Sequence, residues 1–476
     1  MMSFALSESC SAGSKPEPKG RPASLPFIFF AIIALLAGCD RSTPQVQPAP
    51  VVAAQTTPVS DTEKFLERHW ARPLAPQGKI PAHLKADETS LDPVSCGGCH
   101  VAQFEGWRDS LHSRAMGVGI LGQLANMGAH ARDEHQECIR CHAPLAEQAD
   151  SLSNALAAGS DLAANGHGKL PPPDDETFHD RFPLPNPLPL AGEGANEKSD
   201  FHVKVSNGAT PLFRHGLGCA ACHVRGWQWY GPPRRDGSQP SPGDPLPHGA
   251  WQASPAFEDS RFCAACHQFT PDQLALNGKL IENTYEEWKS SRYAREGKTC
   301  QSCHMPDRSH LWRGIHDPEM TRSGITIGST PPEKSSREIS ATLTVRNSGT
   351  GHMFPTYVTP SVIVEGIQEE ATGKPLPNTL AQYVIGRQVK LDLSEEIADT
   401  RLAPDREATF SYRQTRDPKA KMLVLRVRVL PDEFYSNFYR AMLKNGAGEG
   451  EAMIRKALAD SLASAYILHE ERWPLR

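Results

Sequence analysis

Five copies of one pentapeptide, Cys-x-x-Cys-His, constrain this chain more than any other feature of it. They are Cys96-Gly-Gly-Cys99-His100, Cys138-Ile-Arg-Cys141-His142, Cys219-Ala-Ala-Cys222-His223, Cys263-Ala-Ala-Cys266-His267 and Cys300-Gln-Ser-Cys303-His304. They use all of the 12 cysteines except Cys10 and Cys39, which lie near the N-terminus. A turn that offers two thiols and then an imidazole suits one chemistry. The thiols add to the two vinyl groups on one haem edge, and the histidine sits under the iron as its proximal ligand. Paired zinc knuckles need no histidine after every pair. A redox Cys-x-x-Cys normally occurs once, on a thioredoxin-like unit, and a disulfide framework does not repeat one spacing with a fixed histidine. The residues therefore point to five covalently bound haem c groups.

The five motifs fall within residues 96–304, about 42 residues per haem, too few to build a separate core around each one. The macrocycles must share walls and supply apolar surface themselves. That agrees with a mean hydropathy of -0.46 and an apolar fraction of only 39% in a 476-residue chain. The formal charge of -5, with no long basic run, excludes nucleic acid as an expected partner.

The N-terminus indicates where this chemistry takes place. Lys15, Lys19 and Arg21 precede an apolar run from Leu25 to Leu36 that closes on Ala37-Gly38-Cys39. The run is too short to span a bilayer core of about 30 Å as a helix, and it has the layout of a signal peptide. Its ending resembles a bacterial lipobox. Residues 1–38 then read as a lipoprotein signal peptide, Cys39 as the lipidated first residue, and the Pro/Ala/Thr-rich residues 39–60 as a tether. The expected location is the periplasmic side of a bacterial membrane, where c-type haem is attached. Asp40 leans toward the inner membrane.

Beyond the tether, residues 61–330 form the expected pentahaem domain, interrupted by a low-complexity insert at about 151–200 that carries Pro171-Pro172-Pro173 and a second Pro-rich run from Pro183. After His316 the pattern changes. Ile339, Ala341, Leu343 and Val345 alternate with polar residues, as do Leu423, Leu425, Val427 and Val429, which is the period of half-buried strands. Ser361–Ile367, Tyr383–Leu393 and Ala408–Tyr412 add strand candidates. The fold class expected is α + β: a mostly helical, loop-rich haem domain, a small antiparallel β-sandwich-like domain over 335–432, and a helical tail over 433–476.

Each six-coordinate haem also needs a distal ligand, and 14 of the 19 histidines lie outside the motifs. His112 ends a helical stretch after the first motif, roughly 18 Å from His100 at helical rise, so it should serve a neighbouring iron. His310 and His316 flank Leu-Trp-Arg-Gly-Ile just after the fifth motif, and the same distance argument directs them to other haems. His352 lies in Gly349-Thr-Gly-His352-Met-Phe-Pro355, where two glycines allow close backbone approach. His248, before the fourth motif, is a further candidate. His130, His135 and His215 are reserves, and Met116, Met127 or Met353 could ligate instead.

The order Trp107…Ser110-Leu-His112, Cys138…His142-Ala-Pro, Phe262-Cys263…His267-Gln-Phe, Trp288-Lys-Ser290, Cys300…His304-Met-Pro and Gly351-His352…Pro355-Thr356 resembles the multihaem cytochrome c family over roughly residues 90–365. That family includes tetrahaem carriers and relatives of octahaem hydroxylamine oxidoreductase. The resemblance implies closely packed bis-His haems passing electrons between a redox donor and an acceptor, with His112, His248, His310, His316 and His352 as distal ligands. There are departures too: five motifs rather than four or eight, no Cys-x-x-Cys-Lys variant, and a β domain in place of further haems. A membrane-anchored electron carrier is the leading expectation. The alternative is a reductase or oxidase of a small nitrogen or sulfur compound at one five-coordinate haem. The lipid provides the membrane contact. The β domain is the natural docking module, toward a membrane complex or toward other copies of the chain.

Overall fold

The computed structural model describes residues 60–85, 87–160, 162, 210–241 and 246–475. The signal peptide, Cys39 and nearly all of the tether lie outside these residues, as do the Pro-rich runs of the insert. The insert starts later than the sequence suggested, because residues 151–157 continue the helix Ala146–Ala157. Among the described residues no helix is long and apolar enough to cross a membrane. The architecture is mixed α+β, with short helices around the motifs and antiparallel sheets beyond them.

In the motif region, local sequence starts and stops each helix. Asp92 accepts a hydrogen bond from the Val94 amide (2.9 Å) ahead of the Pro93–Gly97 turn, which has proline at its first position. Thr299 caps Cys300–His304 in the same way, with its hydroxyl on the Ser302 amide. Four motif helices, Arg132–His142, Cys219–His223, Arg261–His267 and Cys300–His304, end on the motif histidine itself.

The β domain is a sandwich of two antiparallel sheets. In chain order of pairing, one sheet runs Glu396–Asp399, Ala381–Val389, Ser361–Glu369, Met422–Leu430 and Tyr466–Pro474. The other runs Glu407–Thr415, Glu338–Asn347 and Ile325–Ser329, with Glu333–Lys334 also on the Glu338–Asn347 strand. The period-two signal sets the facing. Ile339, Ala341, Leu343 and Val345 point into a core shared with Val362, Val364, Ile385, Leu423, Leu425 and Val427.

Two boundaries differ from those the sequence suggested. The sandwich begins at Ile325 rather than 335, and the tail is helical only through Glu433–Asn445 and Glu451–Ala463. Its last residues, Tyr466–Pro474, form an edge strand on Met422–Leu430. Leu468 and Tyr466 alternate toward the core there, and Arg426 ties Glu470 to Glu369 across the outer face. The two tail helices turn back onto Val118–Met127 near the second motif. Gly119 and Gly122 lie against Tyr439 and Ile454, where any β-carbon would collide.

Arg387 fastens the sandwich to the haem region. It pairs with Glu396 (2.8 Å), with both side chains buried, and donates to the carbonyls of Leu276 (3.0 Å), Lys279 (3.0 Å) and Leu280 (2.7 Å) in the hairpin after the fourth motif. Removing one member of such a buried set strands the others away from water. Arg387→Met is expected to cost about 3 kcal/mol, read by chemical denaturation; an unchanged midpoint would contradict this role.

Candidate haem sites

All ten motif cysteines are free thiols, and among the described residues no three His, Cys, Asp or Glu gather in a metal-holding cluster. Thiols of different motifs lie near one another in pairs: Cys96 by Cys219, Cys141 by Cys266, and Cys263 by Cys300. The attachment edges of the first and third, the second and fourth, and the fourth and fifth sites are therefore adjacent, as dense packing requires.

The motif imidazoles are oriented by their second nitrogen. Nδ1 of His142 bonds the Ala115 carbonyl (2.6 Å), Nδ1 of His223 the Tyr230 carbonyl (2.8 Å) and Nδ1 of His304 the Arg313 carbonyl (2.7 Å). Nδ1 of His267 bonds the Tyr357 hydroxyl instead, at 2.5 Å. A neutral imidazole held through Nδ1 keeps Nε2 for a metal. Burial lowers the basicity of these rings, to about 4 for both His223 and His267, so they stay neutral and able to ligate.

Three of the sequence-selected histidines stand opposite motif histidines. The ring centroids of His112 and His267 are 6.3 Å apart, those of His310 and His223 6.3 Å, and those of His352 and His304 6.4 Å. Two imidazoles bound at about 2.0–2.1 Å on opposite faces of one metal ion would have centroids separated by almost this distance. All six rings lie deep in the protein yet keep part of their surface uncovered, so they line internal space. Thiols beside that space and paired nitrogens across it fit a covalently attached haem. Haem, when bound, supplies one-electron exchange at its iron.

Each distal histidine is fixed by its surroundings. The His112 carbonyl accepts from the Leu217 amide (3.0 Å), and the Leu217 carbonyl accepts from Trp107 Nε1 (2.8 Å). His310 packs its backbone on Gly106, where a side chain would intrude, and its Nδ1 bonds the Arg308 carbonyl (2.9 Å). Nδ1 of His352 bonds the Met353 carbonyl (2.8 Å). Its turn is held by Glu287, which accepts from the Met353 amide (3.1 Å) and the Thr356 hydroxyl (2.7 Å) and pairs with buried Arg401 (3.1 Å). Gly351 admits the Trp288 ring against this turn, the close approach that the glycines suggested.

His316 stands apart from the paired rings: its Nε2 lies 3.0 Å from an Asp432 carboxylate oxygen. His248 stacks on Trp229 at 4.6 Å, and its amide donates to Glu88. Among the described residues no second imidazole stands across from His100 or His142. Of the reserves, His215 lies 3.6 Å from Asp92, and His135 is buried with its basicity lowered by desolvation. Met116 is enclosed with Leu121, Leu124 and Cys138.

Sequence reasoning missed three residues. Tyr357 is the hydroxyl on His267. Trp312 stands edge-on between His112 (4.5 Å) and His310 (4.9 Å), with its backbone in the left-handed region at φ 42°, a conformation that bulky residues adopt only when packing imposes it. His69 is buried among Phe65, Tyr230, Phe257 and Phe262, with Nε2 on the Cys222 carbonyl (2.8 Å).

Residues 91–317 match the family described as outer membrane cytochrome MtrC/MtrF-like, domains II/IV. The match covers just under half of the chain and, with the motif chemistry and the paired imidazoles, supports a multihaem c-type cytochrome with covalently bound haem. Among solved structures, a penta-heme cytochrome c552 from Thermochromatium tepidum is similar at 16% identity and TM-score 0.48, over 80% of this chain and 97% of that one. No curated protein matches the chain.

Burial, followed by the nearby Arg225 charge, lowers the pKa of His69 from 6.5 to about 3. The unfolded ring takes up a proton near pH 6.5 and the folded ring only near pH 3. Stability is therefore complete above about pH 6.5 and falls as the pH drops through that window. Between pH 7 and 4.5 the protein should lose about 2–3 kcal/mol through this residue. His69→Gln should show a shallower loss in denaturation at the two pH values, and an equal loss would contradict the assignment.

Proposed function

We propose that this chain is a pentahaem electron carrier, held by a lipid on Cys39 at the periplasmic side of a bacterial membrane, that relays electrons between redox partners through mainly bis-His haems. The observation that carries this reading is the set of three imidazole pairs, His112–His267, His223–His310 and His304–His352, at the separation two axial ligands require. Five motifs support a count of five haems. The lipobox-like segment supports the anchor and the location.

In this reading the paired residues do two things. They would hold an iron from both sides, leaving no open position for a small molecule, and would keep the same ligands in both oxidation states, so that structural rearrangement on electron transfer is small. Thiol contacts between motifs keep neighbouring sites at short range. A second reading draws on the first and second motifs. Neither His100 nor His142 has an imidazole opposite it among the described residues. An open face at either would allow reduction or oxidation of a small nitrogen or sulfur compound.

Low-temperature EPR of the ferric protein, with a pyridine-haemochrome count, separates these readings. The carrier reading expects five haems per chain and low-spin signals throughout, with one haem becoming high-spin in His310→Ala at an unchanged haem count. A high-spin signal in the wild type that shifts with nitrite or cyanide would favour the second reading. A count other than five would contradict both.

A further inference from the structure

The three pairs differ in what holds their second nitrogens. In the His223–His310 and His304–His352 pairs all four Nδ1 atoms bond backbone carbonyls, at 2.7–2.9 Å. In the third pair neither does. His267 Nδ1 meets the Tyr357 hydroxyl, and the buried His112 Nδ1 has no hydrogen-bond partner among the described residues.

This difference bears on the iron. A carbonyl accepting from Nδ1–H draws the proton away from the ring, makes the ligand more basic and stabilises the ferric state. A hydroxyl is the weaker acceptor, and an unpartnered Nδ1–H draws nothing. Burial adds to the effect, because the ferric haem carries the larger charge and low-dielectric surroundings disfavour it.

The same pair also lies where the sites meet. Cys266 lies near Cys141 of the second motif, and Cys263 near Cys300 of the fifth. The Trp312 ring links His112 to His310, the partner of His223 in the third. Three neighbouring sites thus border this one.

We propose that the His112–His267 site has the highest potential of the three paired sites and is the junction where electrons from its neighbours collect, with Tyr357 as the positioning residue on His267. This deepens the bis-His reading above and rests on it. The chain is then a branched relay with a central trap instead of a graded line. One electron enters per iron, supplied in the test by dithionite.

Ring angles allow each site to be identified. The planes of His112 and His267 meet at 52°, those of His223 and His310 at 33°, and those of His304 and His352 at 15°. The steeper the angle, the closer to degenerate are the two iron orbitals that interact with the rings, and the larger the gmax of the ferric signal. In an EPR-monitored reductive titration of the full holoprotein, the largest-gmax signal of these three should disappear first. In Tyr357→Phe its midpoint should rise by about tenfold in equilibrium, about 59 mV for one electron, with the other two unchanged. Thr284→Val removes the hydroxyl hydrogen-bonded to Tyr357 and should raise the same midpoint by less, a second reading if the phenylalanine variant fails to assemble. Reduction of that signal together with or after the others, or midpoints unmoved in the variants, would overturn the proposal while leaving bis-His ligation intact. Absence of low-spin signals would overturn the ligation and the proposal with it.

Discussion

The structure depends on imidazoles meeting across a gap. A region this short, with this many attachment motifs, cannot build a separate core around each one. Three histidines reach across sequence to stand opposite motif histidines: His112 to the fourth motif, His310 back to the third, and His352 from the β domain to the fifth. The second-nitrogen bonds to the Tyr230, Arg313, Arg308 and Met353 carbonyls fix the orientation of these rings.

Seen this way, the sandwich is part of the haem scaffold. It supplies His352 from a turn that Glu287 and Arg401 lock in place, and Tyr357 a few residues later. Arg387 and Lys279 bind its edge to the hairpin following the fourth motif. Because the buried charges here are paired and fully hydrogen-bonded, the joint is specific: a shifted register would leave Glu396 or Glu287 without a cation in a place water cannot reach. One domain thus positions ligands on two haem sites, and motion between the two parts would cost coordination as well as packing.

Much of this was legible in the residues. The motifs state their own chemistry, and the alternation in Glu338–Asn347 and Met422–Leu430 marks two central strands. His112, His310 and His352 stood out because each sits in a local context that delivers it away from its own motif. Which motif each one faces was not legible, since that depends on how distant segments fold together. The same holds for His316, which shares its local context with His310: the carboxylate beside its Nε2 belongs to Asp432, far along the chain. The final strand looked helical because the helix before it runs to Ala463 and the apolar residues continue without a break. Only the β-rich Tyr466-Ile-Leu composition marked the change. Trp312 and Tyr357 lay within or beside segments already singled out, but nothing in a single sequence separates a ring that bridges two ligands from one that only packs.

The central claim is that these paired histidines flank iron. Diffraction from crystals of the holoprotein at the iron absorption edge tests it most directly. Anomalous peaks should fall midway between His112 and His267, between His223 and His310, and between His304 and His352, each about 2.0 Å from both Nε2 atoms. Peaks lying beside the motif histidines with His112, His310 and His352 turned away would contradict it.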